Sequence, residues 1–113
     1  MILECFPFSI SGHKKECYRI KVSKQLFSDE ATAIREAIVG LLSTYYDIIY
    51  IDVKDVLAAD LTGINEIIHT HYTLKNVSKQ LVLHYRMNSE IERWVKTTGL
   101  DKFITTAIVP FTI

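Results

Sequence analysis

The stretch that most limits what this chain can fold into is Asp47 to Gly63, DIIYIDVKDVLAADLTG. Asp47 to Val53 is β-branched, aromatic and short. Because it is apolar at successive positions, both of its faces need cover, which predicts a central strand. A short loop, Leu57 to Asp60, then leads to an acid, a hydroxyl residue and a glycine at the point where a helix should start. Helix starts carry unpaired backbone N–H groups and a positive dipole end, so polar chemistry placed there faces a ready-made donor surface.

The rest of the chain alternates around this strand. Ile2 to Ile10 reads as a strand, with Pro7 arguing for a sheet edge. Ser11-Gly12-His13-Lys14 is a turn, and Glu16 to Ser23 is the returning strand. Ser28 is placed as an N-cap, with Asp29 and Glu30 in the first turn. Ile34, Ala37, Ile38, Leu41, Leu42 and Tyr45 follow at helical spacing. A second helix starts near Asp60, with Leu61, Ile64, Ile67, Ile68, His71 and Leu74 on one stripe. Gln80 to Tyr85 is a further strand. Ser89 to Glu92 forms a capping box, opening a helix that Gly99 closes. A final strand covers about Thr105 to Thr112. The order β-β-α-β-α-β-α-β implies an α/β sheet of mixed direction layered by helices.

At 113 residues, this is the length of one domain, taken as residues 1–113. Formal net charge is zero, so no basic face points to nucleic acid and no lysine-arginine cluster points to direct membrane insertion. No apolar run approaches the ~20 residues of a spanning helix. The N-terminal charges follow the apolar stretch, the reverse of a secretory signal, and Cys5 and Cys17 make no disulfide framework. The cytoplasm is the expected compartment.

Candidate chemistry is sparse. His69 and His71 are two apart on a helix, so they diverge, unlike the i, i+4 ligands of helical zinc sites. No phosphate loop or dinucleotide fingerprint is present, and no metal or cofactor is expected. Asp52 is expected to face a loop or to cap. Receiver-type phosphoacceptor chemistry needs an acidic pair after the first strand, where this chain has Ser11-Gly12-His13-Lys14-Lys15. Tyr45, Tyr46 and Tyr50 are expected in core or sheet. Tyr72 and Trp94 are the helical aromatics to examine as partner anchors, with packing the stronger expectation for Trp94.

From Ile51 to Gly63, IDVKDVLAADLTG resembles STAS domains (sulfate transporter and anti-sigma-factor antagonist), in which a strand leads to Asp-Ser-Ser-Gly or Asp-Ser-Gly at a helix start. The likeness continues through QLVLHY and IERWVKTTGLDKFI, with Thr98-Gly99-Leu100-Asp101 as a second motif. It implies a STAS-like α/β domain with helices mainly on one side of the sheet. It also implies a non-catalytic, stand-alone regulator of the bacterial partner-switching type. The implied partner is a kinase-like anti-sigma factor, or alternatively the ATPase subunit of an ABC-type lipid-transport system.

The partner-binding residues so implied are Leu57, Ala58, Ala59, Asp60, Leu61, Thr62, Gly63, Asn65 and Glu66. Leu61 occupies the position of the family's phosphorylated serine and is expected to face outward. This leaves Thr62 as the candidate phosphorylation site. Upstream, Lys24, Gln25, Leu26 and Phe27 replace the Gly-Glu-Leu-Asp run of many members. The run of elements stops at the last strand, where many members continue into a fourth helix.

Overall fold

The computed structural model describes residues 2–9 and 16–110. The elements are β1 (Ile2–Ser9), β2 (Glu16–Leu26), α1 (Ser28–Leu41), β3 (Ile48–Ala59), α2 (Leu61–Lys75), β4 (Gln80–Arg86), α3 (Glu90–Thr98), a 3-10 turn (Leu100–Lys102) and β5 (Thr105–Val109). The sheet order is β1-β2-β3-β4-β5, antiparallel between β1 and β2 and parallel thereafter. Pro7 lies in the edge strand β1, where its missing N–H is harmless. The turn at 11–14 and the far end of the last strand, at 111–112, lie outside the described residues.

Each parallel step, β2 to β3 to β4 to β5, moves the same way across the sheet. Right-handed crossovers therefore put α1, α2 and α3 on one face. The packing shows this segregation. Ile20, Val22, Ile49, Ile51, Val53, Leu81, Leu83 and Tyr85 pack in one cluster with helix residues such as Ile34, Ile38, Ile64, Ile67, Ile91 and Val95. Cys17, Ile48 and Val82 form a second cluster with Phe8, Tyr50 and Ala107, to which no helix contributes.

The elements differ from the sequence expectation in four instructive places. β3 runs to Ala59, so the expected loop from Leu57 to Asp60 is strand almost to its end. Two register shifts, each giving β3 one residue more than β2, keep Asp55, Val56, Ala58 and Ala59 paired with Ser23 to Leu26. Bulges in β3 absorb the two extra residues without ending the ladder. Asp52 is thereby mid-strand and fully buried instead of at a loop. The N-cap of α1 is Phe27 instead of Ser28, and the Glu30 carboxylate reaches back to accept the Phe27 N–H at 3.0 Å. Tyr45 lies outside α1 and is exposed, stacked on Tyr46 at 4.7 Å. α1 ends at Leu41, so the helical stripe does not reach Tyr45.

The remaining helix caps match their sequence signals. The Ser89 hydroxyl accepts the Glu92 N–H at 3.3 Å, and Gly99 ends α3 at φ +72°. That left-handed conformation favours glycine.

Candidate functional site

α1, α2 and α3 follow β2, β3 and β4, so their N-termini gather at the carboxyl ends of the three parallel strands. The strand order does not reverse, so no crevice opens between oppositely wound halves. What the edge presents is a surface, and its centre is the junction of β3 with α2.

The Leu26 carbonyl pins that junction. It accepts the Asp60 N–H at 3.3 Å, and Gly63 packs directly on it. A Cβ built on Gly63 would stand 2.1 Å from the Leu26 carbonyl oxygen, so only glycine permits this approach. The Asp60 Oδ1 accepts the Gly63 N–H at 2.9 Å and the Asp60 carbonyl accepts the Ile64 N–H at 3.1 Å, which fixes the first turn. On the other side, the Ala59 N–H donates to Glu90 Oε2 at 2.8 Å and ties the start of α3 to β3.

On this fixed backbone Leu57 is 81% exposed and Leu61 57% exposed, with Thr62 and Asn65 also at the surface. Leu61 therefore leaves the buried stripe of α2, whose inward residues include Gly63, Ile64, Ile67, Thr70 and Leu74. Ala58 and Ala59 are half-buried in the strand. Two of the residues expected to touch a partner do not reach the surface. Gly63 lies against Leu26, and Glu66 is 4% exposed and ion-paired to Arg35 at 2.8 Å. In the structure Gly63 seats α2 against β2, and Glu66 ties α2 to α1 while lining the groove between the two helices.

A second polar group sits on the helix-free sheet face. Asp52 Oδ2 accepts Arg19 Nη1 at 2.7 Å and Lys54 Nζ at 2.6 Å, and Asp52 Oδ1 accepts the Lys54 N–H at 3.1 Å. Arg19 also lies 3.1 Å from His84 Nδ1, and its guanidinium covers the rings of Phe8 and Tyr50. Burial works to raise the Asp52 pKa, but the hydrogen bonds and charge of Lys54, with Arg19, outweigh it and leave the carboxyl below its ordinary value. Burial lowers the His84 pKa, Arg19 and Lys54 push the same way, and Asp52 opposes them. The sequence reading missed this group. Strand parity gives only part of it: Arg19, Asp52, Lys54 and His84 come together on one face through the register of β2, β3 and β4.

Other sequence candidates scatter. His69 is exposed beside Thr73, while His71 meets Tyr72 and Phe103 edge-on at 4.9 and 5.5 Å. Tyr72 is exposed, and Trp94 packs partly on the core. Cys5 and Cys17 are not joined in a disulfide, and the register sets them opposite Ile20 and Phe8 respectively. Among the described residues no group of three His, Cys, Asp or Glu side chains could hold a metal ion. Among the same residues no helix is long and apolar enough to cross a membrane.

No sequence-family model and no curated protein matches the chain. Solved structures do match. The anti-sigma factor antagonist SpoIIAA in its unphosphorylated form aligns at a TM-score of 0.71 with 12% identity, over 98% of this chain and 89% of that one. An anti-sigma factor antagonist from Mycobacterium paratuberculosis aligns at 0.72 with 19% identity, over 94% and 86%. An uncharacterised protein with a SpoIIAA-like fold from Shewanella loihica aligns at 0.57 with 10% identity, over 100% and 90%. The chain has the SpoIIAA-like, STAS fold, with a mixed sheet and helices on one side.

Proposed function

We propose that this chain is a non-catalytic regulatory module of the cytoplasm that docks on a protein partner through the junction of β3 and α2. A kinase-like anti-sigma factor is the partner class that the fold supports best, since the aligned SpoIIAA and mycobacterial structures are anti-sigma factor antagonists. The observation that carries the reading is the pair Leu57 and Leu61. Both are exposed, and both sit on a backbone held by the Leu26 carbonyl and the Asp60 cap. Burying a leucine side chain is worth about 1.5–3 kcal/mol. Two on a pre-fixed surface can anchor a transient complex after the costs of association. Asp60, Thr62 and Asn65 supply the polar rim, and Ala58 and Ala59 form its floor.

Phosphate cannot attach to Leu61, so any covalent switch at this junction falls to the exposed hydroxyl of Thr62. A phosphate there adds about −1.5 to −2 charges beside the Asp60 carboxylate, enough to unseat a packed partner.

Calorimetric titration against purified kinase-like anti-sigma ATPases tests the docking. Leu57→Glu and Leu61→Glu should each weaken binding about tenfold or more, the loss expected of an interface anchor. If both bind like the parent chain, the docking surface lies elsewhere. Incubation with the same ATPase and ATP, followed by mass mapping, should label Thr62; label absent from every hydroxyl of the junction refutes the switch.

A further inference from the structure

The site just proposed has a groove beside it, and one residue of its lining, Glu66, carries a buried carboxylate oxygen with no donor among the described residues. Between α1 and α2 lies a cleft of about 440 Å³ whose lining includes Thr32, Arg35, Thr62, Asn65, Glu66 and His69. Both Arg35 contacts, from Nε at 3.1 Å and Nη2 at 2.8 Å, converge on Glu66 Oε1. Among the described residues Glu66 Oε2, like Glu30 Oε2 and Thr70 Oγ1, is buried with no hydrogen-bond partner. A guanidinium commonly spreads its fork over both oxygens of a carboxylate. Here one oxygen takes both donors and the other is left over, within a residue 4% exposed that lines the groove.

The surrounding charge indicates what would satisfy that oxygen. Across residues 28–40 and 60–70 the carboxylates are Asp29, Glu30, Glu36, Asp60 and Glu66, and the only lysine or arginine is Arg35. The chain as a whole is neutral, so these two segments carry more negative charge than the remainder; of their carboxylates Glu30 is buried and Glu66 is paired with Arg35. An anionic ligand is repelled here, and a cationic donor is drawn in.

We infer that the groove between α1 and α2 receives an arginine side chain of the docking partner, with the incoming guanidinium donating to Glu66 Oε2 while Arg35 keeps or yields Oε1. This rests on the docking reading above and names the chemistry of the partner. Arginine fits better than lysine because its planar fork reaches the carboxylate and, at the same time, neutral acceptors such as the Asn65 amide oxygen and the Thr62 hydroxyl. Arg35 is 61% exposed on its side chain and anchored through one oxygen, so it can swing aside and open the path to Oε2.

The test needs no identified partner. The isotope-labelled protein is titrated with N-acetylarginine amide, and with the lysine and glutamine analogues, while amide shifts are followed by NMR. The arginine probe should saturate in the millimolar range set by fragment size, with shifts centred on Thr62, Asn65, Glu66 and His69. Glu66→Gln should weaken it about tenfold or more, in line with loss of a charge-assisted bond. Arg35→Gln or Arg35→Ala should strengthen it several-fold by removing the resident competitor. Two substitutions at the exposed position guard against one that fails to fold.

An equal response to the lysine probe overturns the inference, because it reduces the groove to a general acidic face. Insensitivity to Glu66→Gln overturns it too. So does the absence of saturation in both the parent and the Arg35 variants, which means that water satisfies Oε2. The docking reading fails separately, if the Leu57 and Leu61 variants keep full affinity for the partner.

Discussion

Replacing Gly63 by alanine should destabilise this protein, although alanine is the better helix former. In an open helix the exchange gains about 1 kcal/mol. Here the new Cβ falls 2.1 Å from the Leu26 carbonyl oxygen, 2.7 Å from Leu26 Cγ and 2.8 Å from the Leu26 carbonyl carbon. Carbon contacts rest at about 3.5–4.0 Å. Two of the three obstacles are backbone atoms, so no rotamer change relieves the clash, and the start of α2 must retreat from β2. Retreat strains the Asp60 N–H bond to Leu26 and loosens Ile64, which is 1% exposed.

Overpacking of this kind costs about 1–3 kcal/mol, and a weakened backbone hydrogen bond adds about 1 kcal/mol. Setting the propensity gain against these terms leaves a net loss of about 1–3 kcal/mol, a fall of about 5 °C or more in Tm for a domain of this size. Thermal and urea unfolding followed by circular dichroism reads it directly. Gly40→Ala is the matched control. Nothing lies within 4 Å of a Cβ there, so that variant should melt a few degrees higher. A Gly63→Ala protein that melts with the parent or above it refutes the pinned junction.

Asp60→Ala removes the acceptor of the Gly63 N–H and should lower stability by about 1 kcal/mol in the same unfolding assay. Lys24→Gly should raise stability by about 1 kcal/mol, because Lys24 holds φ +72° in β2 beside the second register shift with β3, where an L side chain is strained. Acidification should destabilise the fold in two stages. His84 and Asp52 both have lowered folded pKa values, so the unfolded chain binds more protons as pH falls. Stability then drops first below about pH 6.5 and again below about pH 3.9. Tm measured from about pH 7.5 to about 5.5 should decline, and His84→Gln should flatten part of that decline; a flat profile for the parent contradicts the assignment. Leu57→Glu and Leu61→Glu should change Tm by no more than about 0.5 kcal/mol equivalent, as exposed substitutions do.

How much of this was legible beforehand varies with the range of the interaction. The caps at Asp60, Ser89 and Gly99 were readable because a cap is a contract among residues within one turn. The edge position of Pro7 followed from a single missing N–H. The surface position of Leu61 was legible only through the family resemblance, since the helical period alone placed it in the stripe. The burial of Glu66 had no local signal. It depends on Arg35, thirty-one positions earlier, lying across the interface of α1 and α2. The Asp52 cluster was misread for a similar reason. Its strand was expected to end at Val53, and only the bulged register with β2 carries it on to Ala59.

The sequence by itself determined the order of elements, the covered strand and the polar helix start, because periodicity, capping and turn chemistry act between near neighbours. The one-sided placement of the helices was expected only through the family resemblance, and only the tertiary structure decided that the Leu26 carbonyl seats Gly63 and that one oxygen of Glu66 is left without a donor among the described residues. Those outcomes depend on crossover handedness, strand register and close packing between distant segments, where a shift of one residue or one ångström reverses which side chain is exposed.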